Sequence, residues 1–149
     1  MAYQLEAPIV STFVLLEIDP TGEAKVSFRQ ATVKECLLRD RRVYGEQKRT
    51  FSDDGLTLQN TISDLERGKI EVYLTLCGAE GLLKEDGETE IFRFREGKLA
   101  MNQDEFGAAW DRLPPSVALL IHGRCLDANP DWDFRTGGRK NQVAENSED

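Results

Sequence analysis

Apolar and polar positions change period several times along the chain, and each change marks an element. Residues 9–18 (IVSTFVLLEI) form a run rich in β-branched and apolar side chains. Residues 24–30 (AKVSFRQ) alternate, with Val26 and Phe28 facing one way and Lys25, Ser27 and Arg29 the other. Between them, Asp19-Pro20-Thr21-Gly22 reads as a turn, because proline presets φ and glycine accepts positive φ. Two strands around such a turn predict an N-terminal β-hairpin.

The period then becomes helical. Thr32 is placed as an N-cap with Glu35 completing a capping box. The helix it opens carries Val33, Cys36, Leu37 and Tyr44, shows Arg39, Asp40, Arg41 and Arg42 on its exposed part, and is weakened or ended by Gly45. Residues 46–57 are polar, with Ser52-Asp53-Asp54-Gly55 as a loop. A second long helix is predicted over about 58–79 from Leu58, Ile62, Leu65, Val72 and Leu76, interrupted by Gly68 and capped at Gly78. The β-rich run Ile70-Glu71-Val72-Tyr73-Leu74 leaves a strand open as the alternative over 70–76.

Residues 84–90 (KEDGETE) are a charged loop; Ile91–Phe94 alternates as a short strand, which Glu96-Gly97 turns into Lys98–Met101. Asn102, with Glu105, caps a third helix whose stripe is Phe106, Ala109, Trp110 and Leu113. Pro114 ends it and Pro115 suits the start of the next. That fourth helix carries Val117, Leu120, Ile121, Arg124 and Cys125 on one stripe and stops at Asn129-Pro130, with Trp132 just beyond. The fold class is α+β: an N-terminal β-hairpin, extended by a short strand pair, packed with about four helices. Residues 1–134 are expected to form a single globular domain. Residues 135–149 have almost no apolar content and are expected to be disordered. No internal repeat is visible.

Composition narrows the function classes. A chain of 149 residues buries roughly 70% of its unfolded surface. A net charge of −8 and a pI near 4.8 argue against nucleic-acid binding and against an anionic membrane surface. The start, Met1-Ala2-Tyr3-Gln4-Leu5-Glu6, lacks the basic region and apolar core of a signal peptide, and no apolar run, Phe13–Leu16 included, is long enough for a bilayer. A cytoplasmic protein is expected. Cys36, Cys77 and Cys125 are odd in number and widely spaced, so neither a disulfide framework nor a zinc site is indicated.

Candidate chemistry is sparse. His122 and Cys125 form His-x-x-Cys with Asp127 and Asp131 nearby, but no second cluster supplies further ligands. A lone histidine there reads as a surface or core side chain. Asp53-Asp54-Gly55 and Glu85-Asp86-Gly87-Glu88 miss the calcium-loop spacing and read as solvated turns. Arg39, Arg41, Arg42, Lys48 and Arg49 form the one local positive patch, ordinarily a solvated face and functionally a contact for an acidic partner. No catalytic residue, metal or cofactor is indicated, and the chain reads as a binding protein, not an enzyme.

The docking residues expected from this reading are Trp110, Leu113, Val117, Ile121 and Trp132, with Arg39 and Arg42 from the basic patch. Trp132 either folds back as a staple or is held for a partner. Val26-Ser27-Phe28-Arg29-Gln30-Ala31-Thr32-Val33 leads into an Arg-rich helix; Phe106, Trp110, Leu113-Pro114-Pro115, Val117 and Asn129-Pro130-x-Trp132 follow. In this arrangement the chain resembles tail assembly chaperones of long-tailed bacteriophages and prophages, over residues 24–45 and 100–134. The resemblance implies a cytoplasmic, non-enzymatic protein that tends to oligomerise, binds the tape measure protein, keeps it soluble and helps recruit tail tube protein. It also implies a frameshifted longer product diverging near the C-terminal tail. The competing readings are a secretion-type chaperone, which typically begins with a helix, a structural tail or baseplate component, and a small enzyme built on His122 and the cysteines.

Overall fold

The computed structural model of the chain describes residues 2–45, 48–52, 55–59 and 63–133, with backbone alone for 45, 48–52 and 55–59. The hairpin forms as the alternation requires. Strand β1 (Val10–Val14) pairs antiparallel with β2 (Lys25–Arg29). The Asp19 carboxylate organises the connection by accepting the backbone N–H groups of Thr21, Glu23 and Ala24 and the Thr21 hydroxyl. These bonds hold it below the usual aspartate range, the Thr21 hydroxyl contributing most.

Helix α1 (Val33–Gly45) opens with the Glu35 carboxylate accepting both the backbone N–H and the hydroxyl of Thr32. The polar stretch that follows contains a second hairpin, β3 (Lys48–Ser52) with β4 (Gly55–Gln59), where no strand was expected. Asp53-Asp54, the expected loop, lies between those strands and outside the described residues.

The long helix expected over 58–79 is shorter at both ends. Helix α2 (Asp64–Thr75) starts where the Ser63 hydroxyl accepts the Glu66 N–H and where Asp64 and Glu66 favour the positive end of the helix dipole. Leu58 belongs to β4. At the far end the chain passes without a loop into strand β5 (Leu76–Glu80), because β2 offers a free ladder there. Gly78 is therefore a strand residue opposite Ser27 and not a helix cap. Residues 70–75 are helical, which settles the alternative left open for that stretch.

The three-stranded sheet has the order β1-β2-β5, antiparallel throughout, with a register shift at Cys77 that bulges β5. A small hairpin of β6 (Phe94–Arg95) and β7 (Lys98–Leu99) turns at Glu96-Gly97, as its sequence implies, although Ile91 and Phe92 precede the strand. Helix α3 (Gln103–Asp111) carries the full capping box between Asn102 and Glu105. Helix α4 (Pro115–Ala128) begins at Pro115, and Pro130–Trp132 forms a single 3₁₀ turn. The architecture is α+β, four helices beside an N-terminal antiparallel sheet. The expected tail, residues 135–149, lies outside the described residues.

The core lies between the inner sheet face and the helices. Val26, Phe28 and Leu76 meet Val72 of α2 and Ile121 and Cys125 of α4. Phe106 carries an aromatic chain, with ring centroids 5.3 Å from Tyr73, 5.4 Å from Phe92 and 6.0 Å from Trp110. The buried stripe of α4 is Ala118, Ile121, His122, Cys125 and Leu126, rotated by one position from the expected stripe of Val117, Leu120, Ile121, Arg124 and Cys125. The rotation puts the single histidine in the interior.

Candidate functional site

Two places concentrate chemistry, and they differ in access. The first is a polar seam where α1, α2 and α4 meet. Glu71, fully buried in the apolar run Ile70-Glu71-Val72, accepts Arg39 Nε at Oε2 (2.8 Å) and meets His122 Nε2 at Oε1 (2.6 Å). Arg39 also reaches Asp40 (2.9 Å) and lies over the rings of Tyr44 (5.5 Å) and Trp132 (5.6 Å). Burial works against its charge, yet the bonds from Asp40 and Glu71 hold its pKa above the ordinary arginine value. The Arg39 Nε–H donates to one Glu71 oxygen, and His122 Nε2 stands against the other, so both carboxylate oxygens are engaged.

Thr75 and Cys125 continue the seam. The Thr75 hydroxyl donates to the Glu71 carbonyl (2.9 Å) and its oxygen accepts the Cys125 S–H (3.4 Å). Burial, opposed by the Thr75 bond and reinforced by Glu71, pushes the Cys125 thiol up, which keeps it protonated and inert. At the N-terminal half of α2, Gly68 sits where an added Cβ would lie 2.9 Å from Trp110 Cζ2 and 3.1 Å from His122 Cγ. Only the absence of a side chain there lets α2, α3 and α4 approach so closely. Asn129, at the end of α4, closes the seam: its Oδ1 accepts the Ala31 N–H (2.8 Å), and its Nδ2 donates to the carbonyls of Arg29 and Cys125. Arg29 in turn spans β2, α1 and α2, pairing with Glu35 and donating to the Leu74 carbonyl (2.7 Å). Burial alone would raise Glu35, but the bonds from Arg29 and Thr32 prevail and lower it.

The seam has the residue types of a nucleophile–base pair and none of the access. Glu71, Thr75 and Cys125 are fully covered and His122 is 3% exposed. The arrangement orients helices; it does not present a reactive group to a ligand. Among the described residues no three His, Cys, Asp or Glu side chains gather as a metal site.

The second place is an open groove of about 760 Å³ between the 83–91 segment and the face of α3. Its apolar floor is Ile91, Met101, Ala108, Ala109, Leu113 and Pro114. Its rim carries two ion pairs, Arg93–Glu105 at 2.6 Å and Arg112–Glu85 at 2.7 Å. The 83–91 wall is fixed by Asp86, which accepts the N–H groups of Glu88 and Thr89 and the Thr89 hydroxyl. Those bonds, the Thr89 hydroxyl first, pull its pKa to about 2. Glu90, also in the wall, takes the Gly81 N–H at Oε1 (3.1 Å), while its Oε2 is buried with no hydrogen-bond partner among the described residues.

The structure separates the seven residues expected at a docking surface. Trp110 and Ile121 are buried in the core, and Trp110 donates its indole N–H to the Leu65 carbonyl (3.2 Å). Trp132 folds back, buried over Arg39, so the staple alternative holds. Arg39, expected on an exposed helix face, is buried against Glu71 because α2 and the 3₁₀ turn cover that face. Arg42 is half-buried over the Tyr73 ring, and Val117 packs half-buried against the core. Leu113 alone of the seven lines the groove. Glu71, Thr75 and Asn129 were not anticipated. The available signal was a carboxylate and a threonine on the helical stripe shared by Gly68 and Val72. Among the described residues, no helix is long and apolar enough to cross a membrane. No family model matches the chain, and no curated protein or solved structure matches it either.

Proposed function

We propose that the protein is a phage-type tail assembly chaperone, a non-enzymatic cytoplasmic protein that binds the tape measure protein and keeps it soluble while tail tube subunits assemble. The groove beside Leu113 is the observation that supports this reading. An apolar floor with two alanines from one helix face admits the close approach of another helix, and a rim carrying both charge signs suits the polar flanks of an amphipathic one. Burying apolar surface there supplies the driving force, about 25 cal/mol per Å². The occupant is an amphipathic helical segment of the tape measure protein.

Co-expression with the cognate tape measure protein tests it. The expected result is higher soluble yield of that protein and its co-purification, both lost in Ala108→Glu, at an exposed position of the groove floor, with a nearly unchanged melting temperature. Unaltered yield with no co-purification sinks the proposal.

A further inference from the structure

We propose that β1 is the contact through which two copies of this chain pair, edge to edge and antiparallel, about a two-fold axis at Thr12. The inference does not depend on the chaperone reading. β1 is the terminal strand of the sheet and is bonded to β2 on one side only. The ladder to β2 uses the odd positions: Gln30 N–H donates to the Ile9 carbonyl (2.8 Å) and Leu15 N–H to the Ala24 carbonyl (2.8 Å). Antiparallel pairing alternates, so Val10, Thr12 and Val14 point their N–H and C=O groups to the open edge. Among the described residues nothing pairs with them.

Natural sheets guard such an edge with charge, proline or a bulge. This one has none of them between Val10 and Val14, and no charged side chain occurs from Ala7 to Leu16 in a chain that is 31% charged. The side chains of the same three residues stand on the open face, with Val10 56% and Val14 42% exposed. An unguarded edge carrying β-branched side chains is an edge made to be covered.

The register identifies the cover as a second copy. With Thr12 opposite Thr12 of the other copy, Val10 falls opposite Val14 and Val14 opposite Val10. Each of the three exchanges a pair of hydrogen bonds, and on the exposed face valine meets valine and threonine meets threonine, pairs that stabilise antiparallel sheets. The same two-fold carries the extended arm of one copy, with exposed Tyr3, Leu5 and Ile9, towards exposed Leu16 and Ile18 of the other. The two three-stranded sheets become one continuous sheet. A foreign strand could use the edge bonds, but it has no reason to repeat this palindromic spacing.

The test is sedimentation of the full chain at about 100 μM, with cross-linking to fix the register. The expected mass is twice 16.8 kDa for the unaltered chain. Thr12→Lys sets like charges face to face on the axis and should be monomeric with native circular dichroism; Thr12→Val should stay dimeric. In a Cys36→Ser, Cys77→Ser background, Thr12→Cys should oxidise to a covalent dimer, because hydrogen-bonded antiparallel partners place Cα atoms about 5.5 Å apart, within disulfide reach. Val10→Cys alone should not cross-link, while a mixture of Val10→Cys and Val14→Cys should. A monomeric unaltered chain overturns the proposal, as does a Thr12→Lys dimer or cross-linking of Val10→Cys to itself.

Discussion

The seam between α1, α2 and α4 and the edge at β1 invert the ordinary distribution of groups in opposite senses. In the seam, Arg39, Glu71 and His122 are taken out of water, and each finds a partner within the chain. At β1, Val10 and Val14 stay about half exposed, and among the described residues no strand pairs with their open edge. Buried charge tolerates no missing partner, so the seam fixes how three helices meet and has little left to offer a ligand. Exposed β-branched side chains on a free edge cost the isolated chain little, and their value is realised on association. Substitutions should therefore divide: seam changes move stability, and edge changes move assembly.

The largest effect is expected at Glu71. Glu71→Ala takes the buried carboxylate from Arg39, leaving it only the exposed Asp40, and removes the Glu71 oxygen that faces His122 Nε2. Removing one partner of a buried pair costs about 3–5 kcal/mol, and at ~2–4 °C per kcal/mol for a chain of this size the melting temperature should fall by roughly 10 °C. The double change Arg39→Met, Glu71→Leu should recover much of that loss, because the desolvation cost disappears with the charges. Thermal melts of the three proteins decide it. A Glu71→Ala variant that melts within a degree of the parent would show that the seam contributes nothing net.

A smaller loss is expected from overfilling the same junction. Gly68→Ala improves helix propensity by about 1 kcal/mol, yet its Cβ would lie 2.9 Å from Trp110 and about as close to His122. Overpacking typically costs about 1–3 kcal/mol, so the net should be a modest destabilisation. Trp110 fluorescence should shift in the folded state as the indole is displaced. A stabilised variant with unchanged fluorescence would mean that the helices separate easily, and the seam would lose its standing as a rigid junction.

These positions also explain what was legible in the sequence. Elements with local grammar were: the β1–β2 hairpin from its alternation and Asp19-Pro20-Thr21-Gly22 turn, α3 from Asn102 and Glu105, the α4 start from Pro114-Pro115. Each depends on residues within a few positions. The β5 strand was not legible, because Leu76–Glu80 becomes a strand only by pairing with β2, about 50 residues earlier in the chain. Nor was the seam, since Glu71 looks like any surface carboxylate until α1 and α4 close over it. The groove was half legible: Leu113 was singled out from its own helix, but the opposing wall comes from a charged loop with no apolar pattern. Trp110, Ile121 and Trp132 are large apolar side chains on or beside helical stripes, and that pattern alone does not say whether a side chain fills a core or meets a partner.

At the edge, stability should scarcely respond. Val10→Thr with Val14→Thr keeps β-branched residues on the strand and removes apolar surface that the isolated chain leaves in water. Exposed changes of this kind fall within about 0.5 kcal/mol. Measured at a concentration low enough to hold the chain monomeric, the melting temperature should move by no more than a degree or two. A drop as large as that of Glu71→Ala would place these valines in the fold's own core packing and erase the contrast.

The smallest effect is expected where a carboxylate is as fully hydrogen-bonded as Glu71 but stands in water. Asp86 has three donors from its own loop and a pKa near 2 against an ordinary value of 3.8. A folded pKa below the unfolded one means that the ionised form stabilises the loop. That contribution is complete above about pH 4 and is lost as the pH falls towards 2. Asp86→Asn keeps an acceptor oxygen for the Glu88 and Thr89 N–H groups, so the folded chain at neutral pH should differ little from the parent. The difference that does exist should shrink between pH 4 and pH 2. Following the Asp86 carboxyl carbon by NMR over that range should show its midpoint near the lower end. A midpoint at the ordinary aspartate value would show that the loop does not hold the carboxylate, and the 83–91 wall of the groove would then be held by the Leu83–Glu90 bridge without it.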